Sequence, residues 1–505
     1  MKKLKPMLNL LIVFFISTAL SEMGVAQIPD SSTYWPTYGW HKSTPEQQGM
    51  DSETLSQAFD LIKEHNINIH SLQIIRNGYL VLNAYFYPFP KSSVHDLASV
   101  TKSITSILIG IAIDKGFISS VDIPVIELFP DYKISNIDTN IRKLTIKSLL
   151  TMTSGYNCSY EDGEKQLFDM RKSSDWVQYM LDMPIINEPG THFSYCSGNF
   201  HLLAGIILKT TGLSPKEFAQ KYLFTPLGIN QVIWPSDPNG INFGWGDLHL
   251  YPIDMAKIGY LFLNNGKWED KQIVSPLWIN QSTQKSVRLS DSDYYGYGWW
   301  IRTSPEPGIY EALGRDGQRI VVWPDNNIVV VFSGGGFEPA EVGEYIVKAV
   351  KSDKSLPENE QAYKLLQEKL KNAAAPPSPN PLKKLPEITR GINGKEYICE
   401  DNTIDLKRIS LFFPNEKEGL IKIIRENSTL DIPFGLDDIY RISPTGDLGL
   451  PRVSKGVWET ENKLLLDLYQ VSRMDLDEMI LTFESDKVVI EIDGITVKGE
   501  YKKTR

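Results

Sequence analysis

The stretch HDLASVTKSITSILIG, residues 95–110, sets a serine and a lysine three residues apart at the head of an almost wholly apolar run. If a helix starts near Ser99, Lys102 lies one turn on and on the same face, so its amine reaches the serine hydroxyl. Ile104, Ile107, Leu108 and Ile111 follow at helical spacing and predict a buried helix. An amine taken out of water is disfavoured as an ammonium ion, which makes Lys102 a candidate proton acceptor for Ser99. Backbone N–H groups at the helix start would stand where an acyl-transfer intermediate develops negative charge. The bland reading is an N-cap serine followed by a solvated lysine, and four residues alone do not choose between the two.

The whole chain narrows the choice. A length of 505 residues predicts two domains, and 42% hydrophobic residues suffice for real cores. The formal net charge of −10, with no basic cluster, argues against a nucleic-acid partner. KKLKPMLNLLIVFFISTALSEMGVAQ reads as a secretory signal over residues 1–26: three lysines, an apolar core, then Gly24 and Ala26. That core is short for a bilayer span, and no later stretch is long enough, so a periplasmic or secreted product without a membrane span is expected. Three cysteines form no metal or redox motif. Cys158 and Cys196 are a candidate disulfide in an exported chain; the alternative is three buried free thiols. The seven histidines show no ligand spacing, so no metal site is read, and no cofactor is implied.

Along the chain, DSETLSQAFDLIKEHNI predicts an amphipathic helix starting at Asp51 or Ser52. SLQIIRNGYLVLNAYFY predicts two strands joined at Asn77-Gly78, and RIVVWPDNNIVVVFSGG a second hairpin turning at Pro324-Asp325-Asn326. Strands at both ends of a helix-rich middle predict an α+β domain, one antiparallel sheet flanked by helices, over residues 27–354. Residues 355–385 read as a charged helix running into an Ala/Pro/Ser linker. Residues 386–505 hold short alternating runs (ISLFFP, GLIKII, TLDIPF, KLLLDLYQ, EMILTFES, KVVIEI, ITVKGEY), which predict a small all-β barrel or sandwich.

Further motifs keep company with Ser99 and Lys102. FSYCSGN places Tyr195 and Ser197 before a second apolar helix, LLTMTSGY spans 149–156, and GRDGQRIVVWP places Arg315, Asp316, Gly317 and Gln318 at the entry to the late hairpin. In this order they resemble the serine β-lactamase-like and penicillin-binding superfamily, in its class C β-lactamase, esterase and D-aminohydrolase branch, over most of residues 40–350. The resemblance implies a β-lactamase/transpeptidase-like fold with a helical subdomain. It implies Ser99 as nucleophile, Lys102 as the lysine that helps deprotonate it, and Tyr195 as the proton shuttle. The N–H groups of Ser99 and Gln318 would form the oxyanion hole, with Ser197, Arg315, Asp316 and Gly317 binding substrate. The absence of GxSxG and of an obvious histidine partner argues against an α/β-hydrolase route.

Two positions depart from the branch. Ser197 replaces its amide residue and lacks the paired donor and acceptor. Arg315 replaces the strand lysine and can hold a carboxylate, with a different reach. These substitutions favour a serine hydrolase that cleaves an ester or amide over a β-lactamase or D-stereospecific peptidase acting on peptidoglycan-like substrates, and the expected partner is a small-molecule ester, amide or peptide substrate. A different class of reading is a non-catalytic penicillin-binding-like ligand binder. Trp299, Trp300 and Tyr297 are expected as core or cleft wall, and His95 and His192 in structural or surface roles. Asp316 is expected to be solvated or paired locally. Sequence leaves the oligomeric state open.

Overall fold

The Asn77-Gly78 pair turns the first hairpin, Ile69–Arg76 with Tyr79–Tyr85, and both turn residues have positive φ, 51° and 81°. Such a turn matches the right-handed twist of its strands. The computed structural model describes residues 34–502, except 136, 159–162, 305, 444, 445 and 475. The expected secretory signal therefore lies outside the described residues. Ile69–Arg76 pairs antiparallel with Ile328–Gly334, for example Leu72 with Phe332 and Ile74 with Val330. This pairing joins the two ends of the first domain. Among the described residues, an eight-stranded sheet then continues through Arg319–Trp323, Ile309–Leu313, Trp300–Arg302, Asp293–Tyr295 and Val287–Arg288.

Both faces of this sheet are covered, which explains the unbroken apolar run IVVVF. Ile328, Val330 and Phe332 face a core shared with the helices Ser52–Glu64 and Ala340–Ala349. Val329 and Val331 face the larger, helix-rich core. On that side the helix Pro252–Leu263 lies tight against the sheet: a Cβ on Gly259 would sit 2.5 Å from Val329. Asp51 caps the Ser52–Glu64 helix by accepting the Thr54 N–H at 2.9 Å.

The helix Val100–Asp114 is the centre of the larger core, and it is buried all round from Val100 to Ala112. Its polar residues need internal partners, as any buried hydroxyl does. Ser103 donates to the Gly298 carbonyl at 2.6 Å and Thr105 to the Gly244 carbonyl at 2.8 Å. Trp278 sits where a Cβ on Gly110 would be, so this glycine admits the indole. The fold is α+β as expected, with helical segments between the sheet's early and late strands.

Beyond the sheet domain, the helix Glu360–Ala374 lies on Ser52–Glu64, with Leu366 buried in their shared core and Lys369 on Asp60. Among the described residues, ten strands then build the C-terminal domain. The choice between barrel and sandwich resolves to a barrel: Gly435 of Thr429–Gly435 pairs in parallel with Lys455 of Arg452–Trp458 and closes the ring. Asp493 and Gly494 turn the last hairpin, with φ 50° and 73°. Three strands were not anticipated: Glu396–Cys399, Arg441–Ser443 and Arg452–Trp458. They are short or interrupted by Gly456, so their alternation is weak.

Truncating the central helix tests its place in the core. Ile107 is fully buried, so Ile107→Ala should lower the free energy of urea unfolding by about 2–5 kcal/mol. A loss below about 1 kcal/mol, the range of surface changes, would contradict this placement.

Candidate active site

Ser99 is the residue just before the central helix, with φ −72° and ψ −5°. The turn that delivers it is unusual, because Ala98 has φ 45°, a region that disfavours a side chain with a Cβ. One turn into the helix, Lys102 is 1% exposed. Its Nζ donates to Ser99 Oγ at 2.8 Å and to the Trp245 carbonyl at 3.1 Å. The amine also lies 4.9 Å from the centre of the Tyr195 ring. Tyr195 completes the cluster through a side-chain hydrogen bond with Ser99. Burial pushes its hydroxyl well above the ordinary tyrosine range; Glu164 adds to this, and the Ser99 bond opposes it. Tyr195 is therefore a phenol at neutral pH.

The segment carrying Tyr195 is held from two sides. Cys158 and Cys196 are joined by a disulfide. The backbone of Ser194 donates to the Met152 carbonyl at 2.8 Å, and Gly190 to that of Thr153 at 2.7 Å, which gives the LLTMTSGY stretch its role as a buttress. Ser197 opens the helix Ser197–Thr211 and is turned inward. Its N–H donates to Glu164 Oε1 at 3.0 Å, while its hydroxyl is buried with no hydrogen-bond partner among the described residues.

The Arg315–Gly317 turn lies directly beside the loop that carries Ser99. A Cβ on Gly314 would sit 2.7 Å from the Leu97 carbonyl and 3.0 Å from Ala98 Cβ, so glycine permits the close approach. Asp316 and Gly317 have φ 60° and 94°. The Gln318 side chain ties this turn to the last strand, with Nε2 donating to the Gly334 carbonyl at 2.7 Å and Oε1 accepting from the Gly334 N–H at 3.3 Å. Its backbone N–H makes a long 3.4 Å contact with the Arg315 carbonyl. Arg315 is half-exposed and pairs with Asp316 at 2.7 Å.

Trp300 is half-buried beside Tyr195, stacked at 6.4 Å between ring centres, with the Arg302 guanidinium 5.7 Å from the centre of its ring. Trp299 and Tyr297 belong to the core; Trp299 packs on Phe262 at 4.2 Å. His95 is buried against His70, and His192 is exposed. Sequence reasoning missed the Trp245 carbonyl, Glu164 and Asp96, whose buried carboxylate accepts the Ala98 N–H at 2.8 Å. Asp96 stands inside the opening stretch, but nothing in its spacing says where its side chain turns.

Comparison with known proteins identifies the family. The family model described as Beta-lactamase matches residues 55–350. The 6-aminohexanoate-dimer hydrolase of Paenarthrobacter ureafaciens is 26% identical over 281 residues, covering 51% of this chain and 70% of that protein. A beta-lactamase of Escherichia coli (strain K12) is 26% identical over 254 residues, covering 47% of this chain and 60% of that protein. The structure of EstCE1, a hydrolase with promiscuous acyltransferase activity, matches with a TM-score of 0.51 at 14% identity, covering 60% of this chain and all but 1% of that one (99%). That last likeness is one of fold.

The environment of Tyr195 has a spectroscopic consequence. Because burial raises its titration, the deprotonated form is the one disfavoured, and it appears only above the ordinary tyrosine range. The difference in ultraviolet phenolate absorbance between wild type and Tyr195→Phe should therefore show no Tyr195 ionisation up to about pH 10. A phenolate appearing near neutral pH would contradict the assignment.

Proposed function

Because this chain belongs to the beta-lactamase family of serine hydrolases, we propose that it is an exported enzyme that cleaves a small ester or amide through an acyl-enzyme on Ser99. The observation that carries the reading is the 2.8 Å contact between Ser99 and a lysine amine sealed from solvent. A solvated first-turn lysine, the bland alternative, would not be buried in this way. With the amine neutral, the Ser99 hydroxyl donates across the same contact.

The steps follow from the positions of the groups. The Ser99 oxygen attacks the substrate carbonyl while its proton passes to the Lys102 amine. The N–H groups of Ser99 and Gln318 stabilise the oxyanion. Collapse of the intermediate breaks the bond to the leaving group, which takes a proton from the Lys102 ammonium by way of the Tyr195 hydroxyl. Water then attacks the acyl-enzyme, and the same groups return the protons.

The nature of the substrate follows from the two departures. Ser197 is turned inward with its backbone N–H on Glu164, and its hydroxyl lacks the paired donor and acceptor that an amide side chain would present to a β-lactam or peptide backbone. Arg315 at the surface suits a carboxylate at the far end of a linear amide or ester. The relative named a 6-aminohexanoate-dimer hydrolase is consistent with a small linear amide. Export to the periplasm or medium is supported by the secretory signal read in residues 1–26, and among the described residues no helix is long and apolar enough to cross a membrane.

A fluorophosphonate probe should label the wild type and leave Ser99→Ala unlabelled. Lys102→Met should lower the labelling rate by about 10²- to 10⁴-fold, the range of a lost general base. Equal labelling of Ser99→Ala would sink the acyl-enzyme reading. A panel of short-chain esters, linear amides, nitrocefin and D-amino-acid amides then decides substrate class. Faster turnover of nitrocefin or of the D-amino-acid amides would install the β-lactamase or peptidase reading instead.

A further inference from the structure

Asp96 lies at the meeting point of the two domains. It ends the short strand His95–Asp96, which pairs with His249–Leu250. On one side its carboxylate accepts the Ala98 N–H at 2.8 Å, immediately before Ser99. Ala98 is held in the left-handed region, a conformation that an alanine keeps only when its surroundings over-determine it. On the other side, the Asp96 N–H donates at 2.7 Å to the carbonyl of Ser472, which belongs to the barrel loop Val471–Met474. Two residues further on, the Met474 carbonyl lies where a Cβ on Gly335 would be, at 2.4 Å. Gly335 is locked in turn: its N–H donates to Asn68, whose side chain returns to the Gly335 carbonyl at 2.7 Å and also reaches Tyr469 of the barrel. Gly336 donates to the Asp316 carbonyl at 3.2 Å. The barrel loop thus touches both walls of the site, the segment before the nucleophile and the glycine run behind the Arg315–Gly317 turn.

We propose that Asp96 is a positioning residue for Ser99, and that the Val471–Met474 loop of the barrel holds it in place. The C-terminal domain is then a working part of the nucleophile's support. The proposal rests on the reading of Ser99 as nucleophile. A carboxylate acceptor makes the stronger bond to Ala98 N–H when it is charged.

Several groups bear on that charge. Burial, then Asp247, push the Asp96 carboxyl up to about 7; the Ala98 N–H, Arg315 and Arg473 oppose this. On its own strand His95 is pushed down to about 4 by burial, and on the paired strand His249 is also lowered by burial, opposed by Asp247. His70, bonded to His95 at 2.8 Å, is lowered by burial in the same direction. Since the acid's titration is raised, its charged form is present above about pH 7 and is lost as pH falls through that value. Ser99 should therefore lose reactivity on the acid side of neutrality through Asp96.

The experiment is the pH dependence of fluorophosphonate labelling of the full-length protein, with circular dichroism confirming the fold of each variant. Asp96→Ala should label about 10- to 100-fold more slowly at pH 8, as misplacement of a reacting group does. Asp96→Asn keeps an oxygen for Ala98 N–H, so it should recover most of that loss at pH 8. It should also retain more of its pH 8 rate at pH 6 than the wild type does. Arg473→Gln removes a charge that favours the carboxylate, so it should move the acid limb to higher pH, and it should not do so in the Asp96→Asn background.

Failure of the wild type to label would overturn the Ser99 reading itself. Normal labelling of the wild type together with wild-type rates and pH dependence for both Asp96 variants would overturn the Asp96 proposal alone. An Arg473→Gln shift that persists in Asp96→Asn would overturn the barrel's action through Asp96, and so would the absence of any shift. If Asp96→Ala does not fold, the Asp96→Asn profile decides: an acid limb unchanged from wild type counts against the proposal.

Discussion

The hydrogen bond between Lys102 and Ser99 depends on a constraint that no surface helix could meet. An amine left in water would be protonated and mobile, and its long side chain would carry too much rotamer entropy to wait beside one hydroxyl. Here the chain is sealed within the central helix layer and its Nζ has two fixed oxygens, one from Ser99 and one from the Trp245 backbone. The apolar length of the helix from Val100 to Ala112 supplies this burial, so the same residues that build the core also hold the amine beside Ser99.

Everything else at the site is arranged around that helix start. The sheet brings the Arg315–Gly317 turn to it, and it can do so only because Ile69–Arg76 pairs with Ile328–Gly334, far apart in the chain. Gly314 lets the turn approach the Leu97–Ala98 backbone without a side chain between them. The Cys158–Cys196 disulfide and the Met152 carbonyl hold the segment that presents Tyr195. Two distant stretches therefore converge on the Ser99 loop: the Gly314–Gly317 turn by strand pairing and close approach at a glycine, and the Tyr195 segment by a covalent link and backbone hydrogen bonds.

The barrel adds a second layer to this support. It shares a small core with the first domain, in which Phe89 meets Val453, Tyr469 and Val471, and Phe89 in turn stacks on His70 at 3.4 Å between ring centres. The Glu360–Ala374 helix that leads toward it lies on the Ser52–Glu64 helix, and the exposed linker after Ala374 carries the chain on to the barrel. The Phe89 core and the bond from Asp96 to Ser472 are what hold the Val471–Met474 loop against the first domain.

The sequence alone determined the periodic features. The Asn77-Gly78 turn, the alternating runs of the barrel and the Ser99–Lys102 spacing are local, because turn dihedrals, strand pleat and helix pitch are set by neighbours a few residues apart. The strands Arg441–Ser443 and Arg452–Trp458 were illegible, since their pairing with each other and with the ring, and not their own composition, makes them strands. Tertiary structure decided which oxygen holds Lys102, that Ser197 turns inward, that Trp300 stands beside Tyr195 while Trp299 is core, and that Asp96 joins Ala98 to the barrel. Each of these depends on a backbone carbonyl, a strained dihedral or a packing direction supplied by a remote segment. Such contacts leave no pattern along the chain, because the partner's identity as a residue matters less than where the fold puts its backbone.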